Sequence, residues 1–599
     1  MAKRLPGNPN ETKKRLKTSS AKEDDADTVS CPLVGGFTAA GFRLVEKWSN
    51  GNISATELQE LAQAMVDTYG YAAEDVSSMA ALGASGNSPA HCQRDLLNMK
   101  HFKKIHVPLP SSVEAYVLKQ KGSVSTVEKE LVYFFKPSDW VNSLKKAGLQ
   151  DQILGSKHIV DYFWSNIKPN DPRLQGVKDF KKKLWWPMLL HGDAGPHAKH
   201  DSLDVYSIRS LVCPGSIGTY LSHLLLIGLP MACRVTESKC KNLGLPEVED
   251  TLTTIGKEIA KDLNKLFLES KMVLWIITAD CDHLAKDYGL PHFANKTRPC
   301  MRCMANFDDK PVTDVRPTAA WRTTLCSPAS LKANPLTEHW LLTVRGVTHH
   351  SFVYDPMHVI EIGAASHAIA NVLYDVFYKE LKGTNAQKVH KLNEILQQCY
   401  DSAGVSDDMR IGWLDQRTFA DAGAPHQNYP ELMTSIVKAR RTRYLVPAMM
   451  EMAKLYVKES DTYSMRRFFC LRSLSDAYNV VDRNPLFLNT AEFVQYKDNV
   501  QNFLSHYVFL AIQSAKCVDR VGQFQWSFTV KFHYMFHIAD DAEFISPKAF
   551  WCYGGESMVG LMTRIAQSCL SGMPPHRVTE ALCLKYRIGK HLQFSEMSG

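Results

Sequence analysis

Three carboxylates stand where they could meet. Asp193 lies in His191-Gly192-Asp193-Ala194-Gly195-Pro196, closing the apolar run that starts at Leu184. Asp280 closes a second apolar run, Met272–Ile277, after Thr278 and Ala279. If the two runs are neighbouring strands, the carboxylates converge and repel unless a cation lies between them. Oxygen ligands of this kind suit Mg²⁺ or Mn²⁺. Asp282 is an alternative to Asp280, which is preferred because it ends the strand. Glu556 follows Gly554 and Gly555 in the first turn of a helical run whose Met558, Leu561, Met562 and Ile565 share one face. Taken singly, each acid has a plainer use. An aspartate caps a turn or helix, and a first-turn glutamate complements the helix dipole.

A second constellation is built from sulfur and nitrogen. Cys300 and Cys303 form a Cys-x-x-Cys pair, a common half of a zinc site. His533 and His537 are four residues apart, so on a helix both imidazoles share a face and could complete it. His283, His292, His349 and His350 compete for the same role, and free buried thiols are the alternative. Asp355 and His358 sit three apart at a helix start, with Pro356 at its first position. There Asp355 could simply cap the helix and His358 fill the core.

The elements that must position these groups fall into zones. Residues 1–36 are polar and aperiodic and read as a disordered basic tail, with seven Lys/Arg against one Glu in the first 22 residues. The cluster from Lys13 to Lys17 resembles a nuclear localisation signal and could also hold phosphates. Residues 37–150 read as a helical N-terminal region. Ser54 and Glu57 form a capping-box pattern there, Gly70 lies past the helix end, and Ser138–Gly148 repeats the logic. Strand-like runs at 184–196, Leu203–Val212 and Tyr220–Leu229, an amphipathic stretch near 248–270 and the run at 272 predict an α/β layer over 181–306. Residues 307–525 turn mostly helical, with long periodic stretches at Asp355–Leu381, Lys388–Ala403, Leu432–Val457 and Thr490–Cys517.

Size and composition bound the rest. A chain of 599 residues has room for two to four domains. Its 45% hydrophobic and 22% charged residues are ordinary for a globular protein, and no apolar run is long enough to span a membrane. The polar start shows no signal-peptide pattern, and 15 scattered cysteines suggest reduced thiols in a cytosolic or nuclear compartment. A net charge of +8 permits an anionic partner without demanding one.

The order of elements resembles DDE-type DNA transposases with an RNase H-like core, in particular the CACTA-like group and its relatives. MLLHGDAGP resembles the region of the first acid, and WIITADCDHLAKDYGLP with the following Cys-x-x-Cys resembles the second. VYDPMHVIEIG, residues 353–363, resembles that group's signature helix, and KFHYMFHIADD leading into WCYGGESMVG resembles the approach to the third acid. The resemblance covers roughly residues 180–590. Ala194 departs from it, since glycine is more usual there, and Glu361 rivals Glu556 as the third acid.

The resemblance implies an α/β plus α fold: an RNase H-like mixed sheet interrupted by a large helical insertion, with residues 526–599 returning to the core. It implies Mg²⁺ or Mn²⁺ on Asp193, Asp280 and Glu556, phosphoryl transfer on DNA, and Asp355 and His358 near the scissile phosphate. Relatives join a Cys-x-x-Cys to a later histidine pair, so structural Zn²⁺ on Cys300, Cys303, His533 and His537 is expected. Transposon ends and target DNA are the expected partners, with a homo-oligomer possible, no membrane, and nuclear localisation. Lys181, Lys182, Lys183, Arg440, Arg441 and Arg443 are candidate phosphate contacts. A different class of reading is an inactive, element-derived DNA- or chromatin-binding protein. A third is a zinc hydrolase built on Asp355 and His358.

Overall fold

The computed structural model describes residues 37–70, 73–83, 89–177, 184–325, 339–415, 432, 437–516, 525–570 and 573–598. Seven strands are named in chain order: β1 (Ser111–Lys121), β2 (Val124–Phe134), β3 (Trp186–Ala198), β4 (Asp201–Ser210), β5 (Leu224–Pro230), β6 (Met272–Ala279) and β7 (Phe352–Tyr354). The last five form one mixed sheet in the order β5-β4-β3-β6-β7. β3, β4 and β5 are antiparallel neighbours, whereas β6 runs parallel to β3 and β7 parallel to β6.

A parallel partner needs a crossover, and the helix Thr251–Leu268 supplies it before β6. Asp250 caps that helix by accepting from the Thr253 N–H, and Leu252, Ile255, Ile259, Leu263 and Leu266 form its buried side. All eight residues of β6 are buried. A strand covered on both faces reads as an unbroken apolar run, which is why it was legible in sequence. The helix Tyr553–Gln567 packs on β3 and β4, and the helix Pro575–Ser598 on β5 and β2.

Two expectations about strands are corrected. β3 fills most of the expected run 184–196, but it does not turn at Asp193; it continues to Ala198 and pairs with β4 along that length. The glycines there serve close packing instead of a turn. A Cβ on Gly195 would stand 2.7 Å from Val559 Cγ1, and one on Gly192 would stand 2.4 Å from the Tyr288 hydroxyl. The stretch 307–525 is not wholly helical either, because β7 lies within it and joins the central sheet. Three residues are too few to show a period, so Phe352–Tyr354, just before the helical run at Asp355, carried no strand signal of its own.

Residues 37–150 also divide. Helices at Ala39–Ser49, Ala55–Tyr69, Glu74–Ala80 and Pro89–Leu97 gather a small core around Trp48, Leu58 and Met79, closed by Ile588 and Leu592 of the last helix. The Ser54–Glu57 capping box forms as expected, and Gly70 ends its helix in the left-handed region. The region is not helical throughout, however, since β1 and β2 make an antiparallel hairpin. Lys121 pairs with Val124, leaving the two-residue loop Gly122-Ser123, and Gly122 takes φ +63°. A glycine with positive φ at the first loop position suits a tight hairpin.

Beyond β7 the chain is helical in its described parts, with Ser366–Asp375, Asn385–Ser402, Ala439–Leu455, Thr462–Arg483 and Thr490–Ala515 as its main helices. Residues 1–36 and Lys181–Lys183 lie outside the described residues. No helix among the described residues is long and apolar enough to cross a membrane.

Candidate functional site

Asp193 and Glu556 are 363 positions apart in sequence and meet in the fold. One donor atom each from His191, Asp193 and Glu556 lies within 4.8 Å of the others. β3 places two of the three. His191 and Asp193 alternate on the strand and so project from one face. The strand also explains the depth of the site. β6 pairs with β3 only as far as Ala279 opposite Gly192, so Asp193 is the first residue past its parallel neighbour.

Glu556 arrives from the opposite layer in the first turn of Tyr553–Gln567. That helix seats closely because glycine precedes the acid. A Cβ on Gly555 would fall 2.3 Å from His191 Nδ1, and one on Gly554 would fall 2.4 Å from His223 Cε1. With any larger residue at 555 the ring or the helix would have to move.

Electrostatics divides one proton between the two acids. Burial raises Glu556, the Asp193 charge raises it further, and together they push it to about 9. Burial also pushes Asp193 up, but Glu556 together with His191, His283 and His358 outweighs it and holds Asp193 below the usual carboxylate range. The Asp193 Oδ1 accepts from the Ala194 N–H at 2.7 Å. Burial lowers His191 to about 4, so it is neutral at ordinary pH. Glu556 Oε1 and both ring nitrogens of His191 are buried without hydrogen-bond partners. Two carboxylates sharing a proton beside orphaned donor atoms fit a divalent cation, which would replace the proton and satisfy the orphans.

Asp280 stands at the end of β6, one residue past the Gly192–Ala279 pair. Its backbone is therefore about one strand spacing, ~4.8 Å, from that of Asp193. Its side chain turns to local work, as the N-cap of Cys281–Lys286, where it accepts from the His283 N–H at 2.5 Å. It is absent from the group formed by His191, Asp193 and Glu556. Asp282 points away, pairing with Lys286 at 2.6 Å and His292 at 3.5 Å.

Asp355 and His358 complete the wall of the site. Asp355 Oδ2 accepts from the His358 N–H at 2.9 Å and meets His358 Nδ1 at 2.6 Å, while Oδ1 accepts from the Cys552 N–H at 2.8 Å. Asp355 thus ties the helix after β7 to the approach of the glutamate helix. The His358 Nε2 lies 3.7 Å from Glu556 Oε1. Burial opposes charging of His358, yet Asp355 raises it to about 9, so it is cationic at neutral pH. Its helix, Met357–Ala365, has the wide i→i+5 turn, and Gly363 leaves helical geometry there at φ −121°, ψ −106°. Such wide turns recur at functional sites.

Glu361 is no third acid. It is buried and paired with Arg443 at 3.3 Å, and burial pushes it to about 7. That pairing also removes Arg443 from the expected phosphate contacts: it bridges Glu361 and Asp482 and lies over the Tyr478 and Trp551 rings. Arg440 and Arg441 on the same helix are exposed.

The sulfur–nitrogen cluster assembles as the spacing predicts. Donor atoms of Cys300, Cys303, His533 and His537 lie within 4.8 Å of one another. Cys300 Sγ is 3.3 Å from His537 Nε2, Cys303 Sγ is 3.2 Å from His533 Nε2, and the two Nε2 atoms are 3.2 Å apart. Tetrahedral zinc bonds imply roughly 3.3–3.6 Å for such edges. The histidines share one face of the helix Val530–Asp541. The N–H groups of Arg302 and Ala305 donate to the two sulfurs at 3.3 and 3.4 Å, and the Tyr354 hydroxyl donates to Cys300 at 3.5 Å. Burial disfavours a Cys300 thiolate, but Cys303, His537 and His533 overcome it and hold Cys300 well below its usual range. The rivals His283, His292, His349 and His350 stand outside this cluster.

Sequence reasoning missed His191 and Cys552. The signal for His191 was available, since a residue two before a strand aspartate shares its face. Cys552 carried none, because its place depends on Asp355 accepting its N–H from 197 positions away. A scan against protein-family models and a search among curated proteins each found no match.

Proposed function

We propose that this chain is a transposase-like phosphoryl-transfer protein acting on DNA, with an RNase H-like core. The observation that carries this reading is the meeting of Asp193 on the central strand with Glu556 on a helix of the far segment, next to the strand end that bears Asp280. The sheet supports it: three antiparallel strands are extended by two parallel ones, with the first acid on the strand at the junction. Asp193 and Glu556 would hold a divalent ion, and Asp280, whose cap uses Oδ1, would add its other oxygen. Bound there, Mg²⁺ or Mn²⁺ ions supply activation of a water or 3′-hydroxyl and stabilisation of the leaving oxygen. His358, fixed by Asp355, directs Nε2 toward the same space and would steady a phosphate oxygen. Cys300, Cys303, His533 and His537 would hold a structural zinc ion, pinning the loop after β6 to the helix that leads toward Glu556.

The test is cleavage of supercoiled plasmid and of oligonucleotide duplexes by the purified chain with Mg²⁺ or Mn²⁺. Metal-dependent nicking abolished by chelator and by Glu556→Gln supports the reading. DNA binding with no nicking under either ion would replace it with the binding-protein reading. One observation favours that second reading, namely the commitment of Asp280 to capping its own helix.

A further inference from the structure

We propose that His191 is a direct nitrogen ligand of the ion held by Asp193 and Glu556, and that it shifts the site's preference from Mg²⁺ toward Mn²⁺. The inference deepens the reading above and rests on its claim that the acid cluster holds such an ion.

His191 is 1% exposed, and neither ring nitrogen has a hydrogen-bond partner. A buried imidazole left in that state is costly, and a residue needed only to fill space there would be apolar. Glu556 Oε1 lies 3.8 Å from Nε2, beyond a hydrogen bond, and is itself unpartnered. Gly555 packs against the ring, since a Cβ there would fall 2.3 Å from Nδ1 and 2.4 Å from Cγ. Its donor atom, an Asp193 oxygen and a Glu556 oxygen lie within 4.8 Å of one another. Ligands about 2.2 Å from one ion stand roughly 3–4.4 Å apart. Closing on one ion therefore takes shifts of only a few tenths of an ångström.

The donor type then bears on the ion. Mg²⁺ takes oxygen ligands and keeps its waters, whereas imidazole suits first-row transition metals. A site of one imidazole and two carboxylates favours Mn²⁺ more than a site of carboxylates alone.

The experiment uses the full chain, already loaded with zinc, with Mn²⁺ added and examined by electron spin-echo envelope modulation. Histidine nitrogen coupling to Mn²⁺ is expected, changing character when the protein is labelled with [¹⁵N]histidine and vanishing in His191→Gln. By calorimetry, His191→Gln should weaken Mn²⁺ about tenfold or more and Mg²⁺ no more than about twofold. The labelled wild-type protein keeps the nitrogen question open to test even if the variant does not fold. Bound Mn²⁺ without nitrogen coupling overturns the proposal, as does coupling that survives His191→Gln and is lost in His358→Gln. In both cases the ion is still bound and the function proposed above stands. A wild-type chain that binds neither ion overturns both.

Discussion

The cysteine–histidine cluster joins the loop after β6 to a helix more than 200 positions away, and the acid cluster joins β3 to another, yet they are different kinds of site. In the first, four donors surround one point, all at most 1% exposed, with backbone N–H groups already aimed at the sulfurs. Four protein donors and no gap leave no room for a substrate. In the second, three donors meet and the Glu556 side chain is 33% exposed. The electrostatics differ in the same sense. The sulfur cluster lowers Cys300 toward the form that binds metal, whereas the acid cluster pushes Glu556 up to about 9 and keeps a proton on it. A closed site tightens the fold when filled; an open one is arranged to exchange what it holds.

That contrast can be broken most forcefully at Cys303. Cys303→Ser should abolish stoichiometric zinc and lower the midpoint of thermal unfolding by about 10 °C or more, since the metal closes a contact between distant segments. Metal analysis and calorimetry would show this, and an unchanged midpoint would reduce the cluster to buried thiols. Glu556→Gln should do the opposite. It should remove divalent-ion binding and at least about 100-fold of any cleavage, yet leave the metal-free chain as stable or raise its midpoint by about 1–3 °C at pH 8.

The pH dependence sharpens the same point, with its sign fixed by the direction of the shift. Glu556 is raised in the fold from 4.5 to about 9. Its contribution to stability is fully present below the unfolded value and is lost as pH rises through that window. Binding an ion requires release of that proton. Affinity should therefore rise by up to about tenfold per pH unit from 6 toward 9, read by titration calorimetry in buffers of different ionisation enthalpy. A flat profile would mean that the proton is not on Glu556.

The smallest effects belong to the exposed arginines. Arg440→Ala and Arg441→Ala should each reduce the salt dependence of DNA binding by about one counterion without lowering stability. Arg443→Ala, one turn on, should instead destabilise the fold by about 3–5 kcal/mol, because Glu361 would be left buried and unpaired. Equal behaviour of all three would contradict the separation seen in the fold.

What the sequence determined by itself follows from local rules. The capping box at Ser54 and Glu57, the crossover helix before Met272 and the fully buried β6 are read from spacing and apolar runs, because their physics lies within one turn or one strand. The four zinc candidates were legible because Cys-x-x-Cys and i,i+4 histidines each place half a site on one surface. Tertiary structure alone decided which halves meet. It brought His191 and Glu556 together through the missing side chain of Gly555, gave Arg443 to Glu361, and joined the short β7 to the sheet. It also turned Asp280 to its own helix while seating it beside Asp193. Those outcomes depend on how two surfaces from distant parts of the chain fit, and a local pattern carries no record of the surface it will face.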